Sequence, residues 1–131
     1  MDPAPVLTAL IRRRCRFVVV GSVARGLLGE LVCPADLDVV IEMAASERAA
    51  IVGAMIDLDA QLLQGHRLKP VTESTVLPWR WSWTVVTAFG RVDMIGRFID
   101  GSGFVEHDRA AITVRLADGS TVRCHPTRHA A

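Results

Sequence analysis

The stretch Phe17-Val18-Val19-Val20-Gly21-Ser22-Val23-Ala24-Arg25-Gly26 decides how this chain folds. Its first four residues are apolar and mostly β-branched, and they read as a short strand buried on both faces. Gly21 and Ser22 stop the strand. Val23 to Leu28 then resume with residues that suit a helix. A strand that turns at glycine straight into a helix belongs to α/β architecture.

Working outward, Asp2 followed by Pro3 marks a helix start, a capping carboxylate before a residue with preset φ and no N–H to satisfy. Val6, Leu7, Leu10 and Ile11 give the helical spacing, and Arg12, Arg13 and Arg14 place cations where the helix dipole favours them. Gly29 to Pro34 reads as a loop, and Leu37 to Ile41 as the second strand. Ser46 caps a third helix that runs to about Leu63, with Gly65 as its terminator. Residues 66–78 read as an irregular connection broken by Pro70 and Pro78. Trp83 to Ala88 and Arg91 to Phe98 are β-rich runs joined near Gly90. Ile112 to Leu116 and Thr121 to Cys124 flank Asp118-Gly119, a strong hairpin signal. The order is helix, strand, helix, strand, helix, then several strands. The expected fold is α/β (α+β): a small mixed β-sheet with flanking helices, one domain across residues 1–131.

Half of the 131 residues are hydrophobic and 22% are charged, which suits a folded chain with a real core. Fifteen basic and 14 acidic side chains leave a net charge of +1, which excludes a polycation that coats nucleic acid by charge alone. Cys15, Cys33 and Cys124 lack the close spacing of a zinc knuckle or redox pair and read as reduced thiols. The N-terminus lacks the pattern of a signal peptide, and the apolar runs fall far short of the roughly 18 residues that span a bilayer. The expectation is a cytoplasmic protein with no membrane contact.

The chemistry is carried by Gly21-Ser22, then Asp36 and Asp38, then Asp93. Side chains two apart on a strand share a face, so Asp36 and Asp38 set two carboxylates side by side, which repel unless a cation lies between them. Hard divalent ions take carboxylate oxygens, and Mg²⁺ in particular combines one or two carboxylates with substrate phosphates. Asp93 lies among Val92, Met94 and Ile95, where an ionised group is costly unless it is paired or binds metal. If its strand lies beside the one carrying Asp38, three carboxylates converge. Gly21 lets the backbone approach a ligand closely, and the N–H groups that open the following helix, with the Ser22 hydroxyl, favour a phosphate.

These residues resemble the nucleotidyltransferase fold of the DNA polymerase beta superfamily in its minimal bacterial form. The resemblance rests on G-S-V-A-R-G from Gly21 to Gly26, D-L-D from Asp36 to Asp38 and V-D-M-I from Val92 to Ile95, and spans about residues 15–98. It implies two Mg²⁺ ions about 3.5–4 Å apart, bridged by Asp36 and Asp38, with Asp93 completing the ion near the attacking hydroxyl. It implies that Gly21, Ser22 and Arg25 hold the triphosphate of a nucleoside triphosphate such as ATP. The implied reaction moves a nucleoside monophosphate to a hydroxyl on a small molecule, a protein or an RNA, with pyrophosphate leaving. The family includes toxin–antitoxin components, which implies a cognate protein partner; a homodimer that supplies an acceptor-binding surface is the other expectation. The alternative is a nucleotide-binding or antitoxin-like module of the same fold without turnover.

Other features stay open. Trp79, Trp81 and Trp83 alternate, so in a strand all three indoles share a face; they read as core cover at a sheet edge, as a partner interface or as a platform for a base. Pro78 argues for an edge strand there. Arg12, Arg13, Arg14 and Arg16 read as a solvated helix end or as a weakly supported nucleic-acid contact. Cys124, His125 and His129 offer metal ligands without an evident fourth. Ser22 lacks the pattern of an acyl-transfer nucleophile, and His66 and His107 make no better case.

Overall fold

A computed structural model describes residues 1–73, 75 and 82–126. Helix α1 (Pro3–Arg12) starts as expected, with the Asp2 carboxylate accepting from the Ala4 N–H. Strand β1 (Phe17–Val20) is buried throughout and passes directly into helix α2 (Gly21–Leu27). Strand β2 (Asp36–Ile41) and helix α3 (Ala45–Asp57) follow. Next come β3 (Gln61–Gln64), β4 (Arg67–Pro70), β5 (Ser82–Thr87) and β6 (Gly90–Ile95). Helix α4 (Phe104–Ala110) and the hairpin β7 (Ile112–Arg115) and β8 (Thr121–Cys124) complete the described elements.

The eight strands form one mixed sheet in the order β4-β3-β5-β6-β2-β1-β8-β7. This is the α/β architecture expected. β2 runs antiparallel to β1 and parallel to β6, so it is the strand around which the sheet is organised. Alternation along these strands divides the core in two. Val19, Leu37, Val39, Ile41, Val92 and Met94 face α1 and α3 in the larger cluster. Val18, Val20, Val40 and Ile95 face the other way and pack with Phe98 and with Phe104 of α4. Among the described residues no helix is long and apolar enough to cross a membrane.

The third helix is shorter than its apolar pattern suggests. It ends at Asp57, because Asp59 enters the left-handed region at φ 53° and the Ala60 N–H bonds back to the Met55 carbonyl. Together with the Asp59 N–H to Ile56 carbonyl bond, this is a Schellman motif formed with aspartate at the position where glycine is commonest. Residues 61–63, expected in the helix, belong to β3. Gly65 is instead in the tight turn to β4, inside what reads from the sequence as irregular chain. Ser46 lies within the helix, whose N-cap is Ala44. Helix α2 begins at Gly21 rather than Val23, and β6 stops at Ile95 rather than running to Phe98. Helix α4 is an addition: a two-turn helix with Phe104 and His107 buried, too short to impose a visible period.

Candidate active site

The sheet's register assembles the acids. Asp38 on β2 lies directly opposite Asp93 on the parallel neighbour β6, and opposite Val20 on the antiparallel neighbour β1. Paired residues share a face, so Asp38 and Asp93 fall on the side that carries Val18, Val20, Val40 and Ile95, with Asp36 two residues before. One end of this face is therefore apolar and covered by α4, and the other end is anionic. Ligand oxygens of Asp36, Asp38 and Asp93 all lie within 4.8 Å of one another. The convergence expected if the two strands were neighbours is present.

Asp38 is the most enclosed of the three, only 9% exposed. Its Oδ1 is buried and has no hydrogen-bond partner among the described residues. Burial first, then the negative charge and contact of Asp93 and the charge of Asp36, push its carboxyl up to about 7, against a smaller opposing pull from Arg91. A buried carboxylate oxygen beside two more acids is the donor chemistry that suits a cation. The donor set is all carboxylate oxygen, which fits Mg²⁺ or a similar hard divalent ion and not a thiophilic one.

Asp93 is held from two sides. The Thr84 hydroxyl of β5 donates to its Oδ1 at 2.6 Å, and the Arg91 guanidinium donates to the same oxygen at 3.2 Å. The first contact follows from the hairpin register, which sets Thr84 opposite Asp93, and the second from Arg91 and Asp93 lying two apart on β6, where side chains share a face. The sequence reading missed Thr84, although counting back from the two-residue turn at Ala88-Phe89 would have placed it there. Arg91 thus forms an ion pair with Asp93.

Gly21 touches the acids directly. It adopts φ +69°, and a Cβ there would lie 2.6 Å from Asp38 Oδ2. Glycine is required twice, for the backbone conformation and for the room. No side chain caps the start of α2. Ser22 follows on its first turn, and Arg25, one turn on, sets a guanidinium nitrogen 3.4 Å from Ser22 Oγ while pairing with Glu30 at 3.0 Å. The turn and the acids are thus one site, formed where β1 leads into α2 and β2 begins.

The remaining sequence candidates sort differently. Trp79, Trp81, Pro78 and His129 lie outside the described residues. Trp83 is 9% exposed in the larger core, and its strand β5 sits between β3 and β6, so it is an interior strand rather than the edge strand that Pro78 suggested. Arg13 makes a two-point pair with Asp57, and Arg16 lies over the Phe104 ring, so half of the basic cluster is engaged in holding the fold. Cys124 is buried in the larger core while His125 turns to the opposite face and bonds His107, so these two do not share a ligand site. A cavity of about 330 Å³ beside Ile41, Met43 and Gly96 opens at the far end of β2 and β6, away from the acids.

No protein-family model matches the sequence, and no curated protein does. Solved structures do match. The structure of ANT(2″)-Ia in complex with adenylyl-2″-tobramycin superposes over 92% of this chain with a TM-score of 0.59 at 15% identity. The chain spans 65% of that protein's length. A Thermotoga maritima protein described as a candidate nucleotidyltransferase superposes over 91% of this chain and 75% of its own, with a TM-score of 0.55 at 16% identity. At such identities the likeness is one of fold, and the fold is that of the nucleotidyltransferases.

Proposed function

We propose that this chain is a metal-dependent nucleotidyltransferase that moves a nucleoside monophosphate from a nucleoside triphosphate to a hydroxyl acceptor. The observation that carries the reading is the meeting of Asp36, Asp38 and Asp93 against Gly21, with one buried oxygen of Asp38 that has no donor among the described residues. A fold shared with two nucleotidyltransferase structures supports it.

Asp36 and Asp38 would hold Mg²⁺ together with Asp93. Bound there, the metal supplies charge neutralisation for the polyphosphate and acidity for the attacking hydroxyl. Ser22 and the amides that open α2 receive the phosphates, and Arg25 adds positive charge beside them. Thr84 and Arg91 fix the Asp93 carboxylate so that it faces the acceptor and helps to take its proton. The acceptor oxygen bonds to the α-phosphorus, the bond from that phosphorus to the bridging oxygen breaks, and pyrophosphate departs with the electron pair. The likeness to a structure in complex with adenylyl-2″-tobramycin makes a small polyhydroxylated molecule the first acceptor class to try.

The test is pyrophosphate release from ATP, CTP, GTP and UTP with Mg²⁺ in the presence of acceptor panels, alongside Asp38→Asn. Transfer that requires Mg²⁺ and disappears in the variant is the expected result. Asp38-dependent nucleotide binding without release in any panel would make the chain a nucleotide-binding module instead.

A further inference from the structure

On the same face of the sheet as the acids lies a hydrogen-bonded chain that the site above does not use. Asp100 Oδ1 accepts from Ser102 Oγ at 2.6 Å, Ser102 Oγ lies 3.1 Å from His107 Nε2, and His107 Nδ1 lies 2.8 Å from His125 Nδ1. Donor and acceptor chemistry gives this chain one direction. An ionised carboxylate only accepts, so the Ser102 proton is spent on Asp100. Ser102 Oγ must then accept from His107 Nε2–H, and neutral His107 is left with a lone pair on Nδ1. That lone pair accepts from His125 Nδ1–H. His107 is 7% exposed, and its burial together with the nearby His125 lowers its pKa, in keeping with a neutral ring. The Phe98 ring, 4.5 Å from that of His107, holds it in place. The network therefore fixes the His125 ring through Nδ1 and leaves Nε2 as the nitrogen it does not use.

The register says where His125 sits on the sheet. Cys124 pairs with Val19, and the His125 N–H continues the ladder by donating to the Val19 carbonyl. His125 is thus level with Val20, which is level with Asp38, which is level with Asp93. The four form a transverse row on one face, with Asp93 at one end and His125 at the other. At about 4.8 Å per strand, His125 sits about 10 Å from Asp38. Between them runs the end of β1, where Gly21 and Ser22 begin.

We propose that His125 is a phosphate-contacting residue, and that its Nε2 takes up a proton from solvent and donates to the β- and γ-phosphate oxygens of the bound triphosphate and to the departing pyrophosphate. This rests on the nucleotidyltransferase reading and extends it to the polyphosphate end of the substrate. Asp93 stands on the acceptor side of the row and His125 on the leaving-group side. His107 is a positioning residue: with Ser102 and Asp100 behind it, it holds the ring and spreads the added positive charge toward a carboxylate.

The test uses the whole chain labelled with ¹⁵N at histidine, and binding of Mg²⁺ with ATP, pyrophosphate or AMP. In the free protein His125 should show a protonated Nδ1. Adding Mg²⁺ with pyrophosphate or ATP should protonate Nε2 as well, whereas AMP should leave it unchanged. His125→Gln should weaken Mg·ATP binding about tenfold or more, the scale of one charge-assisted hydrogen bond, while AMP binding stays the same. His107→Phe should abolish the fixed Nδ1–H signature of His125. The inference is overturned if wild-type protein binds Mg·ATP in an Asp38-dependent way but the Nε2 signal does not move, or if His125→Gln binds ATP as tightly as wild type. If wild-type protein binds Mg·ATP no better than Asp38→Asn does, the transferase reading itself fails, and this inference falls with it.

Discussion

Asp38 is folded into a place where its charge is unwelcome without a partner. Its carboxyl, normally near 3.8, is pushed up to about 7 by burial and by Asp93 and Asp36. The folded protein therefore binds this proton at pH values where the unfolded chain has released it, so stability falls as pH rises from about 4 to 7. The slope reaches at most about 1.4 kcal/mol per pH unit. Chemical denaturation across that range without metal should show the decline, and Asp38→Asn should flatten it. Gly21 is the second residue under constraint. A Cβ there strains the backbone at φ +69° and drives into Asp38 Oδ2. Gly21→Ala should cost about 1–3 kcal/mol by urea unfolding, and should also abolish Mg·ATP binding measured by titration calorimetry.

At the scale of elements, the helix ends decide much of the layout. α1, α2 and α3 all close with a bond from the second residue past the cap back to a carbonyl in the last turn, through Arg14, Gly29 and Asp59 in left-handed conformations. Asp59 carries the strain of that conformation, so Asp59→Gly should stabilise the protein by about 0.5–1 kcal/mol in thermal unfolding. Because an aspartate does this work, the terminator of α3 was not legible in the sequence, where Gly65 looked the stronger stop. Leu62 and Leu63 continue an apolar pattern that suits helix and strand alike, and only pairing with β5 decides between them. β1 was legible because a run buried on both faces has one simple reading, and the Gly21 turn and the Asp36–Asp38 pair were legible for their chemistry. That Asp93 joins them depends on β2 and β6 being parallel neighbours, a long-range choice visible in the sequence only as a condition. Thr84 and the His125–His107 pair were not seen, because each acquires its role from register rather than from local pattern.

Across the whole molecule, one sheet separates a large apolar core from a smaller one that gives way to carboxylates at its far end. The larger core and α1 and α3 hold the strands in register, and the register holds the acids. Trp83 sits in that core on β5, so Trp83→Ala should destabilise by about 3–5 kcal/mol in calorimetric unfolding, and at temperatures where the variant stays folded it should bind nucleotide normally. Ligand binding should feed back on the fold. Mg²⁺ with nucleotide at about a hundred times its dissociation constant adds about 2.7 kcal/mol, so the wild-type melting temperature should rise by several degrees and that of Asp38→Asn should not. The most direct measurement is a crystal soaked with Mn²⁺ and a non-hydrolysable nucleoside triphosphate, read by anomalous scattering. The account predicts metal density among Asp36, Asp38 and Asp93 with the phosphates against Gly21 and Ser22; nucleotide bound elsewhere, with no metal among those three carboxylates, would contradict it.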